Sequence, residues 1–295
     1  MKLKVASAKW PVGQPGSFDA FADRVRSRLD AAAQAGAQLA VLPEYLSLEL
    51  AATFDETISG DLHASLAAIQ RYRQDWLELF TTLAGDTGMT LLAGTFLLDI
   101  GNQRYRNRAD LFTPAGTHHW QDKLQLTGFE KQSGVIDAGD ELKVFDLDGL
   151  RLGIAICYDS EFPLPVRAQC EAGARLLLVP SCTDTDAGAV RVRTGCMARA
   201  LENRCFVVQS VTAGEAAWSP ALDRNTGEAT IYAPMDAGLP ADGIVAQSCG
   251  ESVWTCAGLD LAALEASRVH AKVGVDRDWP AQLRPGIACA RVLQG

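Results

Sequence analysis

The segment RLGIAICYDSEFP, residues 151–163, changes character at its midpoint. Its first six residues form an apolar run of strand type, and Cys157 ends that run where the polar turn Tyr158-Asp159-Ser160-Glu161-Phe162-Pro163 opens. A helical pattern follows from Pro165 through Val166, Cys170 and Ala174, then an apolar strand over 175–180, a helix near 187–203 and a strand over 205–210. Strands alternating with helices in this way build a largely buried sheet covered by helices. A thiol at such a strand end lies at the sheet edge where ligands of α/β proteins bind, with the positive end of the next helix dipole close by. Free cysteine also packs as a small buried hydrophobe, so Cys157 by itself decides nothing.

Outward from this segment the alternation persists. Toward the N-terminus the pattern predicts a strand over 3–8 and a helix capped by Ser17, with Phe18, Phe21, Val25, Leu29 and Ala32 on one stripe and its end at Gly36. It then predicts a strand over 39–42, a helix over about 62–83 and a strand over 90–96, with Gly85 and Gly88 marking the turn between them. The middle, about 104–146, is less regular: β-type runs at 109–113 and 142–145 flank a loop carrying Lys123. The last third adds runs at 229–232, 244–247 and 253–259, a helix from about Ala262 and a non-periodic, Pro-containing tail from His270. No linker, low-complexity tract or repeat divides the chain, which predicts a single domain over 1–295 with an extended C-terminal tail from about 270. Pattern alone gives α/β and leaves a doubly wound sheet and a two-sheet sandwich both open.

Composition excludes several classes. At 48% hydrophobic and 21% charged the chain has ample material for a core, and a net charge of -9 argues against a nucleic-acid partner. Arg104, Arg106 and Arg108 alternate along a strand-like run, which reads as a solvated face rather than a phosphate track. Residues 1–9 are too often interrupted by lysine for a signal-peptide core, and no apolar run approaches membrane-spanning length, so a cytoplasmic protein with no membrane partner is expected. The eight cysteines, most of them in apolar segments as Cys205 and Cys256 are, read as reduced core residues. Neither they nor His63, His118, His119 and His270 have metal-ligand spacing, and no metal or cofactor is expected.

A reactive thiol needs an activator, and none of the four histidines has a catalytic setting. Glu44 follows the apolar run 39–42 and Pro43, on the same sheet edge as Cys157 if the strands run parallel, where burial would raise its pKa toward that of a working general base. The competing reading is a helix-capping carboxylate. Lys123 in WQDKLQLTGFE, residues 120–130, is the third candidate: an ammonium beside the thiol favours thiolate and steadies an oxyanion. Most lysines are solvated surface charges, and one that is buried needs a partner, for which Glu130 is in reach.

Taken in chain order, these segments resemble the nitrilase superfamily, the carbon-nitrogen hydrolases, whose signature is a Glu-Lys-Cys triad in that order, each residue at a strand end or adjoining loop. Leu42-Pro43-Glu44 is similar to the glutamate motif, Lys123-Leu124-Gln125-Leu126 to the lysine motif, and Ile156-Cys157-Tyr158-Asp159 with Phe162-Pro163 to the cysteine motif. Arg199-Ala200-Leu201-Glu202-Asn203 resembles the family's Arg-Ala-x-Glu-Asn helix, and Gly258-Leu259-Asp260-Leu261 the Leu-Asp closing its last strand. The resemblance implies a four-layer αββα sandwich of two packed sheets, displacing the doubly wound reading, in a homodimer or higher even homo-oligomer. It also implies a mechanism: Glu44 takes the proton of Cys157, the thiolate attacks an amide carbonyl, and Lys123 with the Tyr158 backbone N–H holds the oxyanion. Glu130 matches the family's second glutamate, although Gln125 stands where the family has histidine and the spacing from Lys123 is seven residues rather than eight. Asp159 is expected to shape the turn, and Arg199 with Glu202 to form an ion pair along a helix.

For substrate, Tyr158-Asp159 resembles the amidase and carbamoylase branches more than true nitrilases, which carry Trp-Glu there. The expected reaction is hydrolysis of a small amide through a cysteine thioester, with a carbamoyl hydrolase or a nitrilase as alternatives. A soluble N-acyltransferase and a non-catalytic scaffold remain further readings. Glu161, Cys182 and Thr183 are candidate pocket residues, and Glu161 with Asp184 and Asp186 would suit an amine-bearing substrate unless the aspartates merely cap the next helix.

Overall fold

In the computed structural model, which describes residues 2–293, side chains along β1 (Lys2–Pro11) alternate between two cores. Val5 belongs to one and Ala6, Ala8 and Trp10 to the other, as the two-residue period of a strand requires. The next two strands, β2 (Leu39–Val41) and β3 (Thr90–Asp99), repeat the division: Leu39, Val41 and Leu92 face one core, Ala40 and Leu91 the opposite one. A sheet buried on both faces and flanked by apolar layers is the result.

The remaining strands are β4 (Tyr105–Phe112), β5 (His118–Asp122), β6 (Ile136–Asp137), β7 (Val144–Leu147), β8 (Leu150–Ile154), β9 (Leu176–Ser181), β10 (Phe206–Glu215), β11 (Arg224–Asn225), β12 (Thr230–Tyr232), β13 (Ile244–Gln247) and β14 (Trp254–Asp260). One sheet runs β5-β4-β3-β2-β1 with β14 antiparallel to β1. The second runs β10-β9-β8-β7, with β12 and β13 beyond β10. The two join where Lys9–Pro11 of β1 pairs in parallel with Val211–Ala213 of β10. Val5, Val41 and Leu111 of the first sheet share a core with Leu152, Leu177 and Val207 of the second.

Helices cover the outer faces. On the first sheet lie α1 (Phe18–Gln34), the short α2 (Glu56–Ser59), α3 (Leu62–Ile69) and α4 (Arg73–Thr87), and α5 (Gly128–Ser133) borders the loop after β5. On the second lie α6 (Pro163–Glu171), α7 (Asp186–Asn203) and α8 (Leu261–His270), followed by the one-turn α9 (Val275–Asp278). The architecture is the four-layer αββα sandwich. The α1 stripe is as expected, with the Ser17 side chain accepting the Ala20 N–H and Phe21, Val25, Leu29 and Ala32 buried. No helix among the described residues is long and apolar enough to cross a membrane.

Two expectations need correction. The helix over 62–83 is interrupted by a 3-10 turn at Gln70–Tyr72, where the Gln70 amide donates to Leu66 O of α3 and to Leu97 O of β3 and accepts the Asp99 N–H of β3. The arginines of β4 are not a free solvated face. Arg104 pairs with Asp137, Arg106 with Asp122 and Asp140, and Arg108 with Asp122, forming an ion-pair ladder whose acidic partners come from β5, β6 and the loop beyond.

Gly94 fixes how closely Pro43 and Glu44 approach β3. It has φ +74°, lies at an irregularity in the β3–β4 register, and a Cβ there would sit 2.2 Å from Pro43 O. Gly94→Ala should lower stability by about 2–4 kcal/mol, through left-handed strain plus a displaced backbone. Gly88→Ala, with φ +66° and nothing within 4 Å of the added carbon, should cost about 1 kcal/mol from strain alone. Urea unfolding of both variants measures the difference, and equal losses would contradict it.

Candidate active site

Four chain crossings meet at one edge of the sandwich. Glu44 follows β2, Lys123 follows β5, Cys157 follows β8 and Cys182 follows β9. Lys123 is pinned in its backbone, its N–H donating to Asn107 O at 2.9 Å and its carbonyl accepting the Gly139 N–H at 2.7 Å. Cys157 opens a 3-10 turn, Cys157–Glu161, with φ 49°, a conformation rare for any residue but glycine. The turn holds it: Ser160 Oγ donates to Cys157 O at 2.7 Å, and Asp159 accepts the Ile156 N–H at 3.1 Å.

The Lys123 ammonium, 1% exposed, donates to Glu44 Oε1 at 2.8 Å and to Glu130 at 2.8 and 2.9 Å. Asn107 Nδ2 bridges the carboxylates, 2.8 Å from Glu44 Oε1 and 3.3 Å from Glu130 Oε1. Tyr45 donates its hydroxyl to Glu130 at 2.8 Å, and Thr127 donates its N–H to Glu130 Oε2 at 2.9 Å in a capping box at the start of α5. The other Glu44 oxygen accepts the Cys182 N–H at 3.0 Å, while the Cys157 thiol points at Cys182 O, 3.5 Å away.

Charge separates the two carboxylates. Burial raises the pKa of Glu44, and the Glu130 charge raises it further against the opposing pull of Lys123. Burial acts the same way on Glu130, but Lys123 and the Thr127 and Tyr45 donors overcome it and hold Glu130 below the usual range. For Lys123, burial favours the neutral amine, yet the two carboxylates outweigh it and the ammonium is held far up. Burial, then the Glu44 charge, pushes the Cys157 thiol well up, so it is neutral at rest. Asp159 is pushed by burial up to about 7, against Lys123 and three backbone N–H groups.

These groups line a cavity of about 230 Å³. Glu44, Lys123, Cys157, Tyr158, Glu161, Cys182 and Thr183 all border it, and Glu130 lies buried behind Lys123. The wall is of mixed charge: Glu161 and Asp184 border the cavity as expected and Asp223 joins them, but arginines stand among them. Glu161 faces Arg191 at 3.5 Å, Arg224 adds a second positive charge, and Asp186 lies within 3.3 Å of Thr226 Oγ1 rather than in the cavity. Nor does either aspartate cap α7; Thr185 does, accepting the Gly188 N–H. Arg199 and Glu202 form the expected pair at 3.0 Å. Sequence reasoning missed Tyr45 and Asn107. Asn107 carried a signal, an amide in the inward phase of β4 between Tyr105 and Ala109, where a polar residue needs a partner. Among the described residues no cluster of three or more His, Cys, Asp or Glu is arranged to hold a metal ion.

The sequence pattern of the carbon-nitrogen hydrolases matches residues 4–246. The chain belongs to that family. It is 34% identical over 232 residues to a probable hydrolase of Bacillus subtilis, YhcX, an alignment covering 79% of this chain and 44% of YhcX, so the chain spans less than half of that relative's length. It is 26% identical over 257 residues to the omega-amidase NIT2-A of Xenopus laevis, covering 80% of this chain and 82% of that one. In fold it matches Nit3 of Saccharomyces cerevisiae, a member of branch 10 of the nitrilase superfamily, with a TM-score of 0.72 at 20% identity over 92% of this chain and 95% of Nit3.

Removing the ammonium leaves two buried carboxylates facing one another. Lys123→Met should therefore cost about 3–5 kcal/mol at neutral pH. The carboxylates then rise above their unfolded pKa values, so the deficit relative to wild type shrinks as pH falls and they take up protons. Urea unfolding at pH 7.5 and 5 gives the check; a deficit that grows toward pH 5 would contradict the pairing.

Proposed function

We propose that the protein is a thiol-dependent amidohydrolase acting on a small amide. The observation that carries this reading is a neutral thiol, a carboxylate of raised pKa and a buried ammonium opening on one cavity. Cys157 attacks the amide carbonyl carbon as its proton passes to Glu44, and the carbonyl oxygen gains negative charge. Lys123 and the Tyr158 N–H, in the first turn after Cys157 where helical geometry leaves N–H groups unused, receive that oxygen. When the tetrahedral adduct collapses, the C–N bond breaks and Glu44 gives its proton to the nitrogen, so ammonia or an amine leaves and a thioester remains. Water then attacks the thioester as Glu44 takes its proton, and the departing thiolate is reprotonated to restore the thiol and the acid product forms.

The separation of Glu44 and Glu130 suits the two roles. Pairs of titratable groups pushed apart in pKa mark acid–base assignments: Glu130 stays ionised and keeps Lys123 charged, which frees Glu44 to gain and lose a proton. A cavity of about 230 Å³ fits a small substrate. Tyr158-Asp159 favours amides and carbamoyl compounds over nitriles, and the omega-amidase relative favours amides. The reading extends to the cytoplasm, on the strength of eight unpaired cysteines, and to a homodimer, for which Leu201, Met235 and Val273 offer apolar surface around one hollow of the outer helical layer.

Ammonia release from a panel of small amides, carbamoyl amino acids and nitriles, with intact-protein mass spectrometry, tests the chemistry. Cys157→Ser should lose about a thousandfold or more in kcat and show no acyl adduct, and Glu44→Gln about a hundred- to ten-thousandfold. Unchanged turnover in Cys157→Ser would refute the mechanism.

The base must be ionised, so kcat/KM should fall as pH drops through the Glu44 pKa, above the ordinary value of about 4.3. In Glu130→Gln the charge that helps to raise Glu44 is gone, and the acid limb should move to lower pH. A limb that stays put or moves upward would remove Glu44 as the titrating base.

A further inference from the structure

We propose that Asp159 is a positioning residue whose carboxylate clamps the Lys123 loop to the Cys157 turn and so fixes the spacing of the two donors that receive the substrate oxygen. The kinetic consequence rests on the amidohydrolase reading; the clamp itself rests on geometry. Asp159 is 3% exposed. Its Oδ1 accepts the Gln125 N–H at 2.7 Å and the Leu124 N–H at 3.1 Å, and its Oδ2 accepts the Ile156 N–H at 3.1 Å. The same residue's N–H returns to Ile156 O at 3.0 Å, closing the turn around Cys157.

One carboxylate therefore joins two backbone segments more than thirty residues apart, one carrying Lys123 and the other carrying Cys157 and the Tyr158 N–H. Only an acceptor-only group satisfies N–H donors on both oxygens, because an amide in its place turns an NH₂ toward one of them. Above about pH 7, where Asp159 is ionised, its bonds are also charge-assisted, about twice as strong as neutral ones. The Lys123 side chain is fixed at its tip by Glu44 and Glu130, and its backbone by Asn107 and Gly139. Nothing in those contacts sets Lys123 against the Cys157 turn; the bonds to Asp159 do.

The test is Asp159→Asn, with thermal melting to establish that it folds, peptide-resolved hydrogen exchange, and hydrolysis of p-nitrophenyl acetate as the kinetic probe. Exchange at residues 124–125 and at 156 should quicken about tenfold or more as the bonds are lost, with β9 unchanged. The rate constant kcat should fall about a hundredfold, as for a donor misplaced by an ångström, with KM within about threefold of wild type. Unchanged exchange in either segment, or a loss carried by KM alone, overturns the proposal. Should the variant fail to fold, wild type decides: the clamp requires Leu124, Gln125 and Ile156 to share one protection factor, and a loop that exchanges fast beside a slow Ile156 overturns it. Cys157→Ser run alongside separates the readings. If it hydrolyses the ester like wild type, the hydrolase chemistry fails while the exchange result still judges the clamp.

Discussion

The ammonium of Lys123 stands between two carboxylates, almost wholly removed from solvent, and the rest of the site is arranged around satisfying it. Each ion removed from water costs several kcal/mol, recovered only if the pairing is close and every remaining lone pair and proton has a partner. Here the partners are present. Glu44 accepts Lys123 and Asn107 on one oxygen and the Cys182 N–H on the other. Glu130 accepts Lys123, Tyr45, Asn107 and the Thr127 N–H. These donors come from β4, from the loops after β2, β5 and β9, and from the mouth of α5, so neither sheet alone can assemble the network. The joining of the two sheets through β1 and β10 brings them to one edge.

The network is deliberately uneven. Glu130 has the greater number of donors and stays ionised; Glu44 has fewer and rises. An equal division would leave a proton shared between two similar carboxylates. The thiol fits the same pattern: burial and the Glu44 charge favour its neutral form, which keeps a third negative group out of a site that already carries two negative groups and one positive.

What the sequence made legible was whatever depends on local pattern. The ends of apolar runs place Glu44, Cys157 and Cys182, and the α1 stripe follows from a 3.6-residue period. Pattern failed where a distant partner overrides local preference. The helix breaks at Gln70, whose amide ties α3 to β3, and Arg104, Arg106 and Arg108 look solvated until β5, β6 and the following loop bring their acids. Asn107 was the instructive omission, since an amide in the inward phase of a strand is a signal in itself. The pocket wall was the least legible part: the charge of Glu161 is legible, but its meeting with Arg191 is a tertiary fact, made by a side chain on the next helix.

Backbone conformation carries the last step. Among the non-glycine residues with positive φ are two at the heart of the site, Tyr45 at 60° and Cys157 at 49°. Each costs about 1–3 kcal/mol and persists only where its surroundings over-determine it. Both are so held: the Tyr45 N–H by Thr95 and its hydroxyl by Glu130, Cys157 by Ser160 on its carbonyl and by the closed Asp159 turn. In both cases the left-handed residue lies in the loop that follows a strand, where the chain turns away from the cavity that Glu44 and Cys157 border. The strain is the cost of opening Glu44 and Cys157 to the same cavity, and one of the bonds that fix it, from the Tyr45 hydroxyl to Glu130, also belongs to the charged network.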